Sequence, residues 1–470
     1  MTVGTTKETF LSAFSALQSG GNIAGPSWLR DLRQAAIERF AERGLPTTRD
    51  EEWKYTSIAP IAATRFDLRP DWADDEPTEE ILAPFCLSPG WSRLVFVNGR
   101  HSAKLSTARS LPRGVRVGSL GEALITDAEL LRGHLDASAS AAPYDAFAAL
   151  NTAFWRDGAF VYVPAGANVA EPVYLLFVTT AQGRAQVDHP RSLIVLEPES
   201  QATLVESYVT LAGDAYLTNA MTEIVVGAGG GLDHYKLQLE GQGAFHVGRT
   251  QVRQLRASRV GSCSVTLGGR LVRNDIQAHL GAEAASCTLS GLFVTGGRQH
   301  VDTHTVIDHA APRAMSRQLY KGILDGRARG VFNGRVIVRP GANGTDAHQT
   351  NKNLLLSDEA EVDSKPQLEI FADDVKCSHG AADGQIAADA MFYLRSRGLD
   401  EAAARTLLTF GFANEVLGRI RIEPVRSWLE SLLTARLHGG RVPDGEKADV
   451  PAPRAHRPSP HEQDKEPPCT

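Results

Sequence analysis

The sequence predicts a mainly β protein, a right-handed parallel β-helix core flanked by N-terminal and C-terminal α-helical regions. Three observations lead there. From Ala159 onward, short β-rich runs recur roughly every 8–15 residues for over 200 residues, with no convincing helix among them. These runs are too many for one open sheet, which rarely passes about ten strands, whereas a solenoid stacks rungs that touch only their neighbours. Several runs are also polar, as in 300–304 and 343–353. A coil tolerates this because only its inward positions need be apolar.

The chain of 470 residues is long enough for two or three domains. Its 49 Lys and Arg against 55 Asp and Glu leave a net charge of −6, which offers no broad footprint for nucleic acid. Glycine is plentiful at 43 residues and aromatics make up only 7%, a balance that suits tight turns better than long helices.

Taken in order, Ser27 caps a helix over 28–43 whose Leu29, Leu32, Ala36 and Phe40 share a face, and Gly44 and Pro46 stop it. The string 49–56 reads as a charged helix start whose two aromatics, Trp53 and Tyr55, dock on a neighbour. An acidic, proline-bearing linker spans about 69–84. A strand at 93–97 runs into the Asn98-Gly99 hairpin turn, and helical spacing returns over 119–135 and 144–155. The β-rich series then begins, punctuated by turns such as Pro164-Ala165-Gly166, 227–231 and Gly296-Gly297. A strand-like stretch ends near Lys376, and Cys377 and His379 follow in a glycine-bearing joint. Asp389 caps 390–397, Asp400 caps 401–417, and Pro424 opens 425–437. The tail is proline-rich, charged and nearly free of apolar residues, the composition of a disordered segment. The expected division is 1–92 helical, 93–158 mixed lead-in, 159–380 β-helix, 381–440 helical domain and 441–470 tail. Since a solenoid needs covered ends, the helices before Trp155 and after Gln385 are expected to cap it.

Five scattered cysteines without C-x-x-C spacing fit a reducing, cytoplasmic setting. No leader pattern and no run of about 18 apolar residues is seen, so a membrane location is not expected. There is no Gly-Lys pair, hence no P-loop, and the glycines at 227–231 lack the helix of a dinucleotide site.

His300, Asp302 and His304 alternate on one strand face and have zinc or iron chemistry, or else lie on a hydrated outer surface. Cys377 and His379, spaced i and i+2, point to one side of extended backbone and are candidate ligands for a soft or borderline metal such as iron or zinc. Two ligands do not complete a site, so a partner or substrate cluster must supply the rest. The alternative for Cys377 is a small buried hydrophobe. Asp373, Asp374 and Lys376 would be the candidates if the core were a carbohydrate-active hydrolase, and a stand-alone metal-binding protein is a third reading.

The strings EEWKYT at 51–56, SRQLYKGILDGRARGVFNG at 316–334, AEVDSKPQLEIFADDVKCSHG at 360–380 and FYLRSRG at 392–398 resemble the SufB/SufD family. These are the scaffold subunits of the SUF iron–sulfur cluster assembly machine, and the CSHG joint places the resemblance nearer the SufD branch. Ala381-Ala382-Asp383-Gly384 departs from the usual stretch there, and the tail is extra. The resemblance implies a β-helix core and a non-enzymatic scaffold. It implies pairing with a SufB-like subunit, and binding of a SufC-like ATPase through the C-terminal helical region. Partner contacts are then expected at Phe392, Tyr393, Leu394, Arg395, Arg397, Leu407, Phe410 and Leu417. No tightly bound cofactor is expected in the isolated chain, a transient iron or iron–sulfur cluster is expected in the complex, and a homodimer is an option for the chain alone.

Overall fold

The computed structural model describes residues 4–20, 25–68, 76–141, 145–180, 183, 185–211, 213 and 215–438. The expected tail, 441–470, lies outside them. The core is a parallel β-solenoid of about eight turns. It has two long sheets, and from Gln201 on the chain alternates between them with each strand. In the first sheet Gln201, Gly231, Arg259, Ser286, Met315, Asp346 and Lys376 stand in register, one turn apart. The second sheet likewise stacks Leu217–Val226, Phe245–Gln254, Leu271–Leu280, His300–His309, Arg329–Val338 and Glu361–Ile370.

Alternation along each strand sends successive side chains inward and outward. Between the sheets lie Val161, Ile194, Ile224, Leu232, Leu289 and Phe332. The middle turns also bury polar groups there. Glu206 is fully buried and accepts from Thr222 (3.0 Å), with His234 Nε2 at 3.0 Å and Tyr208 beside it. Burial opposes its charge, but His234, Lys236 and the Tyr208 hydroxyl outweigh that and hold it at about 2.

The sheets extend past both expected limits of 159–380. Ser92–Val97 already pairs in parallel with Val173–Thr179, and the last strand is Lys376–Gly384. The helix 401–417 appears as expected, with Asp400 accepting from the Ala403 N–H at 2.7 Å. Within the region 1–92 expected to be helical, a helix Lys7–Ser19 precedes the one that starts at Ser27. No helix among the described residues is long and apolar enough to cross a membrane.

The expectation that both terminal regions cap the solenoid is corrected: they pack as side walls. Glu401–Leu417 and Glu423–Leu437 lie along the outer face of the first sheet, where Trp428, Leu429 and Leu432 join Tyr235, Leu237, Val265 and Leu292 in one cluster. Those outward positions are apolar, so a lateral wall is what they require. The N-terminal region covers the outer face of the second sheet. Leu120, Leu131 and Trp155 meet Phe160, Leu193 and Val195, and further along Trp53 and Phe147 meet Leu217, Phe245 and Leu271.

Candidate assembly interface at the last turn

Two strands finish the solenoid, Glu361–Ile370 in the second sheet and Lys376–Gly384 in the first. Each pairs on one side only among the described residues, with Arg329–Val338 and Asp346–Leu355. Their other edges present backbone donors and acceptors with no covering element, and Glu361–Ile370 has no fully buried residue. Pro366, which cannot donate, sits on this edge strand, a position that tolerates it.

Cys377 and His379 lie within the last strand, not in a joint after it. KCSHGAADG has no β-branched or aromatic residue, so nothing local announces a strand; pairing with Asp346–Leu355 imposes it. Register sets Cys377 beside Ala347 and His379 beside Gln349, both buried, so the pair continues an inward-facing column. No turn follows, and His379 is exposed. Cys377 is half-buried among Val336, Val338 and Leu368, and burial pushes its thiol pKa up, so alone it is a neutral small hydrophobe. Asp383 Oδ1 accepts from Asn353 Nδ2 (2.7 Å) and Ser364 Oγ (3.1 Å), tying the two last strands together. Among the described residues no three His, Cys, Asp or Glu side chains are grouped to hold a metal ion. Any metal at Cys377 or His379 therefore draws further ligands from outside these residues.

Exposed apolar groups gather along this part of the chain. Phe371 is 60% exposed, Phe392 76% and Tyr393 57%, and the helix Ala388–Ser396 that carries the last two buries none of its residues. Arg395 and Arg397 are exposed and Leu394 half-buried, with the Arg397 guanidinium 5.3 Å from the Tyr393 ring centroid. The other expected partner contacts divide. Leu407 is exposed, Phe410 packs partly against the first sheet's outer cluster, and Leu417 is buried in it. Leu417 is a wall residue and cannot meet a partner without unpacking its helix. Asp373 and Asp374 occupy the exposed turn between the two last strands, and Lys376 begins the final one.

The His300, Asp302 and His304 face is neither hydrated nor free for a metal. The segment 51–56 lies over it. Trp53 is buried, with its ring 4.6 Å from the Arg273 guanidinium carbon and 5.4 Å from the Phe147 ring. Thr56 Oγ1 donates to Asp302 Oδ2 (2.5 Å) and lies 2.8 Å from His300 Nε2. Asp302 also receives Arg273 Nη1 at 2.6 Å and lies 3.1 Å from His304 Nε2, whose other nitrogen is 3.3 Å from Glu52. Lys365 reaches Glu51 at 2.5 Å, carrying the strap to the edge strand. Burial disfavours the His304 charge, but Asp302 outweighs it and raises the imidazole to about 9. Sequence reasoning foresaw that Trp53 docks and missed its target, because 252 residues separate Glu52 from His304 and 246 separate Thr56 from Asp302.

Comparison with known proteins adds the biological setting. Residues 177–412 match the family model described as SUF system FeS cluster assembly, SufBD core domain, and residues 5–175 match the SufBD protein N-terminal region. The chain belongs to the SufBD family. An iron-sulfur cluster assembly SufBD family protein of Synechocystis is 34% identical over 90% of this chain and 94% of its own length. The iron-sulfur cluster assembly protein SufD of Escherichia coli is 32% identical over 87% and 93%, and that of Bacillus subtilis 25% over 93% and 100%. As a SufD-type SufBD protein, the chain has a role in iron–sulfur cluster assembly. The two SufBD matches meet between 175 and 177, within the strand Val173–Thr179, so the family's two regions share one solenoid here.

Proposed function

We propose that this chain is a non-catalytic, cytoplasmic scaffold subunit that pairs with a SufB-like β-helix through its open last turn. The observation that carries this reading is the pair of unpaired strand edges at one end, with Cys377 and His379 in the inward column that runs out there. A homologous solenoid matches such an edge in strand spacing and backbone pattern, so backbone pairing is the natural mode of association. The iron or iron–sulfur cluster is substrate here. His379, exposed at the mouth, is the first ligand offered, and Cys377 follows only where a partner's metal or cation draws off its proton.

A SufC-like ATPase would engage the C-terminal helices through what the solenoid leaves free: Leu407 and the exposed side of Phe410. Phe392, Tyr393, Arg395 and Arg397 lie nearer the open turn in sequence and serve either partner. In the absence of a SufB-like chain, a second copy would satisfy the same edges as a homodimer.

The test is co-purification and complementation. His379→Ala should fold and co-purify with SufB-like and SufC-like chains, yet fail to support cluster formation in cells lacking the native protein. Full complementation would remove the proposed ligand role; loss of assembly would make His379 a structural residue of the interface. Hydrogen exchange reads the edge itself. The amides of 361–370 and 376–384 should be protected more strongly in the complex than in the separate chain, and equal protection would sink the pairing model.

A further inference from the structure

At one corner of the solenoid, where strands of the first sheet turn into the second, three successive turns and the end of the helix Glu423–Leu437 border an open cavity of about 760 Å³. Gly243, Gly268 and Gly296 lie in the three turns and line it, and three guanidinium groups, Arg270, Arg298 and Arg436, line it too. Arg436 donates to the Leu267 carbonyl and, at 2.8 Å, to Gln299 Oε1. Gln299 is 8% exposed and is itself fixed, donating to the Gly269 carbonyl at 2.8 Å. Arg270 lies 5.5 Å from the Phe245 ring centroid, and Arg298 is exposed at the rim.

Among the described residues none of these three cations has a carboxylate partner. That departs from the pattern one turn further along the same corner. There Arg327 pairs with Glu359 at 2.9 Å and Arg329 with Asp363 at 2.8 Å, each bridging consecutive turns. The one carboxylate lining the cavity, Glu240, is buried and already engaged by Thr218 (2.7 Å), Gln238 (2.8 Å) and His246 (2.7 Å). His300, also in the lining, is held by Thr56, and burial disfavours its charged form. Burial also lowers the Arg436 pKa to about 10, as expected for a cation with only neutral partners. Arg436 is half-buried and Arg270 and Arg298 are exposed, so three like charges converge on one concave corner with no carboxylate partner among the described residues, a lining that focuses a positive field.

We propose that this cavity binds a diphosphate-bearing small molecule, its phosphate oxygens held by Arg270, Arg298 and Arg436. Planar guanidinium forks match phosphate oxygens two at a time, and two linked phosphates supply roughly the charge that three arginines need. The volume falls among those of small-molecule sites, about 300–1,000 Å³, and leaves room for a group beyond the phosphates. This site is independent of the open turn and of the assembly reading.

Calorimetric titration of the isolated full-length chain with inorganic pyrophosphate and, separately, ADP tests it. Saturable binding of one equivalent is expected. Arg298→Ala, an exposed rim substitution that leaves the fold alone, should weaken it about tenfold or more. Arg436→Gln should do the same, while Arg327→Ala, whose residue is paired on the same corner, should leave it unchanged. Equal affinity for both probes would assign recognition to the phosphates alone, and tighter binding of ADP would extend it to the attached group. Absence of binding by either probe would overturn the proposal. So would equal loss in Arg298→Ala and Arg327→Ala, which marks mere attraction to a basic surface.

Discussion

At its first turn the solenoid is closed by reversed strands. Arg100–His101 folds back antiparallel on Ser92–Val97 in one sheet, and Arg116–Ser119 runs antiparallel to Ala159–Val163 in the other. Aromatic rings fill the space between: Phe96 stacks on Phe177 at 4.9 Å, and Phe177 on Tyr208 at 4.8 Å. The last turn has neither device. Its two strands stay parallel to those before them, its inward positions include Ser364, Pro366, Cys377, His379, Ala381 and Asp383 with Leu368 as a half-buried apolar group among them, and no aromatic ring stops the column. An end that is meant to remain alone is reversed and plugged. An end left parallel, with small and polar inward residues, keeps the geometry another turn would need.

That contrast can be broken by substitution. The largest effect is expected at the closed end, where Phe96→Ala removes a fully buried ring and should cost about 3–5 kcal/mol, read as a fall in the denaturation midpoint. The matching cut at the open end, Leu368→Ala, removes a half-buried side chain and should cost only about 1 kcal/mol. Comparable losses at both ends would mean that the last turn is as well packed as the first.

The strap along the second sheet should make stability fall on the alkaline side. The folded His304 pKa of about 9 lies above its ordinary value of about 6.5, so its contribution is complete below pH 6.5 and is lost as pH rises through 9. The loss is on the order of 3 kcal/mol for such a shift and should vanish in His304→Gln. On the acid side Asp302 is held below the usual carboxylate range by Arg273 and His304 despite its burial, so its contribution is complete above about pH 3.9 and is lost progressively as pH falls below that through the depressed folded value. A flat stability profile between pH 6.5 and 9.5 would remove the latch.

Smaller effects belong to the open turn. Cys377→Ala should cost about 1 kcal/mol or less, as a half-buried thiol among Val336, Val338 and Leu368. His379→Ala should change the stability of the separate chain by less than about 0.5 kcal/mol, being exposed. A large loss in either would show that the last turn depends on the pair for its fold.

Much of the architecture was legible in local pattern. Short runs, polar strands and glycine turns such as 227–231 pointed to stacked rungs, and Asp400 and Pro424 marked helices that form where expected. The repeat itself stayed hidden because consecutive turns differ in length and carry no common residue set. Positions one turn apart, such as Ala202, Leu232, Val260, Cys287 and Ser316, share only smallness or apolarity. The candidate site was half legible: Cys377 and His379 were singled out by type and spacing, but their strand was not, since KCSHGAADG gains its extended form from Asp346–Leu355.

By itself the sequence determined the class of the core and the residue types available for chemistry, because these are written in spacing and composition, and its long strings carried the resemblance to the family. Tertiary structure alone decided which way the end helices lie, that 51–56 buries His300, Asp302 and His304, and that the last turn is open. Those outcomes depend on which surfaces meet across hundreds of residues. A helix with an apolar face specifies that it must be covered, and only the assembled solenoid specifies by what.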